Sequence, residues 1–100
     1  MDHEIVWTEP ALGDLERIVR FLLTRNPPAA DVVRLSILDS IEVLKRFPFI
    51  GPLYERDSTG RTREIVSGSY RIFYRINDGA RRIEILTIWH SARSEPTLPE

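Results

Sequence analysis

Residues 61–93 read RTREIVSGSYRIFYRINDGARRIEILTIWHSAR, and the alternation within this stretch decides the fold. On a strand, successive side chains point to opposite faces. Arg71, Phe73 and Arg75 therefore share one face, while Tyr70, Ile72, Tyr74 and Ile76 share the other. Two clusters interrupt the alternation, Ser67-Gly68-Ser69 and Asn77-Asp78-Gly79. Both are tight-turn signals, the second the stronger, because asparagine, aspartate and glycine tolerate positive φ. The closing run from Arg82 to Trp89 is apolar on both sides: Ile83, Ile85 and Trp89 alternate with Leu86 and Ile88. Such a run predicts a central strand covered on both faces. Three strands in an antiparallel meander follow, with one face a core wall and the other able to meet an anion. The stretch carries seven arginines against three acids, so its charge is clearly positive.

Upstream, FPFIGPLYERDSTG over residues 47–60 contains two prolines and two glycines, which predicts a loop crossing from another layer to the sheet. Before it lie two amphipathic helices. In the first, Leu12, Leu15, Ile18, Val19, Leu22 and Leu23 recur at steps of three and four, with Asp14, Glu16, Arg17 and Arg20 away from that stripe. Thr8 is its predicted N-cap, with Glu9 and Pro10 in the first turn. Asn26-Pro27-Pro28 breaks this helix and starts another, whose stripe holds Ala30, Val33, Ile37, Ile41 and Leu44, widened by Leu38, and which Pro48 closes. The short connector implies an antiparallel hairpin. Ile5 and Trp7 alternate with Val6 in an initial strand. The expected fold is thus α+β: an N-terminal strand, an antiparallel helix hairpin, then a three-stranded antiparallel meander, forming one domain over residues 1–93 with a loosely held tail over residues 94–100.

One hundred residues with 42% apolar content make a single small domain. The absence of cysteine excludes a disulfide scaffold and a thiolate metal site, and no metal or other cofactor is expected. No long apolar run or leader suggests a membrane span or export signal, so a cytoplasmic protein without membrane contact is expected. A formal net charge of −1 argues against broad nucleic-acid binding, which draws on counterion release by a large positive excess. Direct DNA binding by this chain is not expected. Thirteen of the fourteen basic residues are arginine, a bias that favours planar, bidentate contacts to carboxylate or phosphate and that genome composition also produces.

Several features in this order resemble one family. They are an opening strand ending in Trp7, a helix with Ala11, Asp14 and Leu15, a second helix running to Phe47-Pro48, and Gly51. They continue through Arg63-Glu64, the run Tyr70-Arg71-Ile72-Phe73-Tyr74-Arg75, and Ile85-Leu86 followed by His90 and Arg93. Together these resemble the ParE/RelE toxin superfamily, and the YRIFYRI motif with its closing His-x-x-Arg is closer to the ParE branch. The resemblance implies a toxin encoded beside a small antitoxin in a type II toxin–antitoxin or plasmid-stabilisation module. It implies a hetero-oligomeric complex with that antitoxin. For a ParE-like member it implies DNA gyrase as target, and for a RelE-like member cleavage of messenger RNA in the ribosome.

Metal-free RNA cleavage needs a general base, cations to hold the phosphorane and an acid for the leaving oxygen. On a RelE-type reading the catalytic set is Arg63, Arg71, Arg75, His90 and Arg93, with Glu64 nearby. Alternation, however, puts Arg63 and Glu64 on opposite faces. RelE-like nucleases tend to close the last strand with a tyrosine, or with a histidine followed by one. Here His90 precedes Ser91, and no tyrosine follows Tyr74. On the ParE-type reading no catalytic residue is expected. Arg63, Arg71, Phe73 and Arg75 are then the candidate antitoxin-binding residues, receiving an acidic extended arm while an amphipathic antitoxin helix occupies a groove. A third reading is a degenerate member that binds antitoxin without toxicity. The plainer alternatives are a solvated face where Arg71 and Arg75 pair with Glu64 or Glu84, a hydrogen-bonded sheet-edge His90, and core positions for Trp7 and Trp89.

Overall fold

Thr8 joins the first strand to the first helix. Its hydroxyl oxygen accepts from the Ala11 amide at 3.3 Å, capping α1 (Glu9–Arg25) directly after β1 (Glu4–Trp7). The computed structural model of the chain describes residues 2–93; the tail expected over residues 94–100 lies outside the described residues. Asn26 serves two helix ends. Its amide donates to the Leu22 carbonyl at 2.7 Å to close α1, and its side chain accepts from the Ala29 amide at 3.4 Å to open α2 (Pro27–Val43). Pro27 and Pro28 sit in the first turn, where no intrahelical donor is lost.

After the crossing loop come β2 (Thr62–Ser67), β3 (Tyr70–Asn77) and β4 (Arg82–His90). The sheet order is β1-β4-β3-β2. The last three strands form the expected antiparallel meander, and β1 adds to β4 in parallel, making the sheet mixed. Flanked on both sides, β4 buries Ile83, Ile85, Leu86 and Ile88, as its two-sided apolar pattern predicts.

The main core lies between helices and sheet, where Ala11, Ile37, Ile41 and Leu44 meet Ile72, Tyr74, Ile83, Ile85 and Ile88. Removing this apolar surface from water is the chief stabilising term of the fold. A smaller cluster of Tyr54, Phe73 and Leu86, with Trp89 packed against it, forms on the sheet's other face.

The register of β4 departs from simple alternation. Phe73 pairs with Thr87 but Tyr74 pairs with Ile85, so Leu86 is an extra residue, a β-bulge. Beyond it the parity inverts. Ile88 therefore joins Ile83 and Ile85 in the main core and Trp89 joins Leu86 in the smaller one, exchanging the faces that alternation alone assigns to these two residues. A bulge leaves polar backbone groups that need partners, and α1 supplies them. The Thr8 hydroxyl donates to the Ile85 carbonyl at 2.7 Å and lies 3.2 Å from that of Leu86. The Asp14 carboxylate accepts from the Ile88 amide at 3.0 Å and from the Thr87 hydroxyl.

Two other expectations are corrected. Leu12 and Leu23 lie on the predicted stripe of α1 yet are 49% and 54% exposed. The cap at Thr8 turns α1 so that small Ala11 faces the sheet, and the stripe is wider than the surface α2 and the sheet cover. In the turn after β3, the left-handed residue is Arg81, at φ 50°, and not Asn77, Asp78 or Gly79. The Arg81 amide donates to the Asp78 carbonyl at 3.1 Å, so the loop runs to four residues and its left-handed position falls last. Gly68, at φ 58°, fills that role in the Ser-Gly-Ser turn as predicted.

Candidate functional site

The sheet face turned away from the helices carries Arg71 and Arg75, as their parity predicts. Arg71 is engaged: its Nε donates to Glu64 Oε2 at 2.8 Å and its Nη2 to Oε1 at 3.3 Å. The guanidinium lies 4.9 Å from the Phe73 ring centroid and 5.6 Å from that of Tyr54, close enough for cation–π attraction. Phe73 shares this face but is fully covered, because Tyr54 arrives from the crossing loop and packs edge-on against it at 4.8 Å. Phe73, a candidate antitoxin-binding residue by sequence, is thus covered by the chain's own loop. Arg75 lies between Thr62 on β2 and Glu84 on β4. Its Nε is buried with no hydrogen-bond partner among the described residues, an arrangement that costs free energy until a partner is supplied.

Arg63 faces the other way, as its position beside Glu64 predicts. Its Nη1 donates to the Gly51 carbonyl at 2.7 Å, and its guanidinium lies 5.1 Å from the Phe49 ring. It holds the crossing loop. That loop also covers part of the β2 edge: the Glu64 amide donates to the Pro52 carbonyl at 3.1 Å and the Tyr54 amide to the Thr62 carbonyl at 2.8 Å. Farther along, Asp57 accepts from the hydroxyls and amides of Thr59 and Thr62. These bonds, the Thr62 hydroxyl first, hold its carboxyl well below the usual carboxylate range. Phe47, Phe49, Ile50 and Leu53 are exposed along the same loop, beside an open groove of about 560 Å³ between the end of α2 and the β2 edge.

His90 and Arg93 occur at a third place, the end of β4. The His90 ring stands edge-on to Tyr70 at 5.2 Å, and its Nδ1 accepts from the Ala92 amide at 3.1 Å, the hydrogen-bonded sheet-end arrangement expected of a structural histidine. Arg93 stacks over Trp89 at 4.2 Å. With Asp14, Arg17, Phe21 and Tyr70 they line an open groove of about 330 Å³. Burial pushes the Tyr70 phenol above its usual range.

The residues proposed from sequence thus separate into three sites. Arg71 and Arg75 share the open sheet face, Arg63 anchors a loop on the helix side, and His90 and Arg93 stand at the strand end. Sequence reasoning missed Asp14, Arg17 and Tyr54 as site residues. Periodicity places the first two on a polar helix face; the bulge in β4 engages Asp14, which in turn pairs with Arg17. Among the described residues, no group of three or more His, Cys, Asp or Glu is placed to hold a metal ion, and no helix is long and apolar enough to cross a membrane.

A helix hairpin laid on one face of a four-stranded sheet, with open grooves and a half-covered arginine face, defines a small α+β domain. The chain belongs to the ParE toxin family of type II toxin–antitoxin systems, whose model matches residues 5–95. No curated protein matches the chain in sequence. Solved structures share the fold. The chromosomal ParDE system from P. aeruginosa is similar with a TM-score of 0.73 and 19% identity, over 88% of this chain and 95% of that one. The RelBE2 toxin–antitoxin complex from Mycobacterium tuberculosis gives 0.66 and 24%, over 90% and 99%. The isolated E. coli RelE toxin gives 0.68 and 18%, over 93% and 88%.

Proposed function

We propose that this toxin acts as its family name implies, inhibiting DNA gyrase in the cytoplasm when free and neutralised by a cognate antitoxin in a hetero-oligomeric complex. The observation that carries this reading is the ParE family match over residues 5–95. ParE and RelE toxins share the fold, so the choice of target rests on that match and on the side-chain arrangement. A RelE-type nuclease would need Arg63, Arg71, Arg75, His90 and Arg93 around one phosphate. Here Arg63 is turned to the Gly51 carbonyl and Arg71 is engaged by Glu64, which favours a surface that engages a protein over an assembled active site.

The antitoxin is the partner that the unfinished features of the domain ask for. The similar structures include toxin–antitoxin complexes. The buried Arg75 Nε has no partner among the described residues, and an acidic arm laid over the sheet face would supply one in a charge-assisted hydrogen bond. Arg71 would join it through its outer nitrogens, and Arg63 would contribute through the loop it holds.

The test is a pair of assays on the purified full-length chain: supercoiling by DNA gyrase, and ribosome-dependent cleavage of a defined message. Loss of supercoiling that the antitoxin restores is the expected result. Message cutting with gyrase unaffected would transfer the chain to the RelE-type reading, and inactivity in both with retained antitoxin binding would make it a degenerate member.

A further inference from the structure

We propose that the groove between α1 and the end of β4 binds a nucleoside phosphate. The inference stands apart from the choice of toxin target. It rests on a cluster that the arginine face does not share: Arg17, Phe21, Tyr70, His90 and Arg93, with Asp14 at one side. The volume, about 330 Å³, falls within the range of roughly 300–1,000 Å³ usual for small-ligand sites.

Charge in the groove favours an anion. Its one carboxylate, Asp14, is already engaged, with Oδ2 taken by the Thr87 hydroxyl and the Ile88 amide and Oδ1 by Arg17. Arg17 and Arg93 against Asp14 leave the groove cationic, and a guanidinium fork matches two phosphate oxygens at once. His90 adds a donor. Because its Nδ1 accepts from the Ala92 amide, the proton of the neutral ring resides on Nε2. The aromatic rings supply the second half of the site. Phe21 is 54% exposed, with the Arg25 guanidinium over its ring at 4.4 Å, and Tyr70 is braced edge-on by His90, so the uncovered ring surface of the pair is where a base can stack, a contact available to every base. The chain as a whole is slightly acidic, which suits one localised phosphate better than an extended nucleic-acid track.

The experiment is calorimetric titration of the full-length chain with adenosine 5′-monophosphate, with adenosine and inorganic phosphate as the separated halves. Monophosphate binding at least tenfold tighter than either half is expected. Arg93→Ala and Arg17→Ala should each weaken it by roughly tenfold, the scale of one charge-assisted contact, and Arg93→Lys should fall between. Arg93 is exposed and Arg17 pairs with Asp14, so the thermal midpoint of Arg93→Ala should stay at the wild-type value, which separates lost binding from lost folding, while Arg17→Ala is read beside its own melt. A short 5′-phosphorylated single-stranded RNA distinguishes the source. Equal affinity for the mononucleotide identifies a free nucleotide as ligand, and binding of the RNA alone identifies a strand end. Phosphate binding as tightly as the monophosphate, the arginine variants binding as wild type, or a glutamate-rich peptide occupying the groove where nucleotides do not would each overturn the proposal.

Discussion

The Gly51 amide donates to the Tyr74 hydroxyl at 2.9 Å, and that hydroxyl donates onward to the Pro48 carbonyl at 2.8 Å. One buried phenol on the central part of the sheet thus fixes both ends of the turn that launches the crossing loop. The approach is close enough to exclude a side chain. A Cβ on Gly51 would lie 2.5 Å from the Glu64 carbonyl oxygen and 2.7 Å from the Tyr74 hydroxyl, and the first of these is backbone that cannot swing aside. Gly51→Ala is therefore expected to cost about 1–3 kcal/mol, as overpacking does. Tyr74→Phe, which strands one donor and one acceptor, should cost about 1–3 kcal/mol. Urea denaturation measures both, and a Gly51→Ala midpoint equal to wild type would refute the close approach.

Asp14 is the link between α1 and the bulge. Its carboxylate serves the Thr87 hydroxyl and the Ile88 amide, two donors in a part-buried place where water is not a ready substitute. Asp14→Ala should destabilise by about 1.5–3 kcal/mol, the value of hydrogen bonds to a charged acceptor. Asp14→Asn, which keeps one acceptor oxygen, should lose less. Because Asp14 and Thr87 share one interaction, the double variant Asp14→Ala with Thr87→Val should fall short of the sum of the singles. Strict additivity would show that the pair does not couple the helix to the strand.

The elements written in periodicity and turn chemistry were legible in the sequence: two helices, the Thr8 cap, the break at Asn26-Pro27-Pro28, the meander and the central position of β4. The ParE likeness was legible too, in Trp7, Gly51, the YRIFYRI run and the closing His90 and Arg93. What alternation does not contain is the extra residue at Leu86. A strand reading assumes period two, and one inserted residue exchanges the faces of Ile88 and Trp89 without leaving a mark in composition. The covering of Phe73 was likewise hidden, because it depends on where Tyr54 lands from a loop whose path is set by Asp57, Arg63 and Tyr74. The faces of Arg63, Arg71 and Arg75 and the strand-end place of His90 were readable from alternation, but that the crossing loop draws Arg63 to the Gly51 carbonyl was not.

Asp57 gives the loop a pH signature. Its folded-state pKa is lowered, chiefly by the Thr62 hydroxyl and then by Thr59, whereas in the unfolded chain it titrates near the ordinary value of 3.8. A depressed carboxyl stabilises the fold fully above that ordinary value, and the contribution is lost as pH falls from there through the lowered one. Asp57→Asn should therefore be less stable than wild type at neutral pH. The gap should be constant across the neutral range and close only on acidification below about 4. Guanidinium melts of the two proteins along a pH series measure this. A gap that stays unchanged down to strong acid would mean the carboxylate is not what holds the turn.

Arg71 and Arg75 stand four residues apart on one face of β3, but their surroundings predict opposite responses to the same substitution. Arg71 is paired bidentately with Glu64, both side chains being about four-fifths buried, so Arg71→Met leaves a carboxylate with little water and no cation. A loss of about 1–3 kcal/mol in the free chain is expected, between the values for exposed and fully buried pairs. Arg75 carries a buried Nε with no partner among the described residues, so Arg75→Met removes a desolvated polar atom and keeps most of the side chain's apolar volume. The free chain should be as stable as wild type or more so. If the antitoxin supplies the missing acceptor, its affinity for Arg75→Met should nevertheless fall by roughly tenfold or more. Stability from thermal melts and affinity from titration calorimetry separate the two roles. Arg75→Met that melts as low as Arg71→Met, or that binds antitoxin undiminished, would mean that Arg75 is a structural residue and that the arm runs elsewhere.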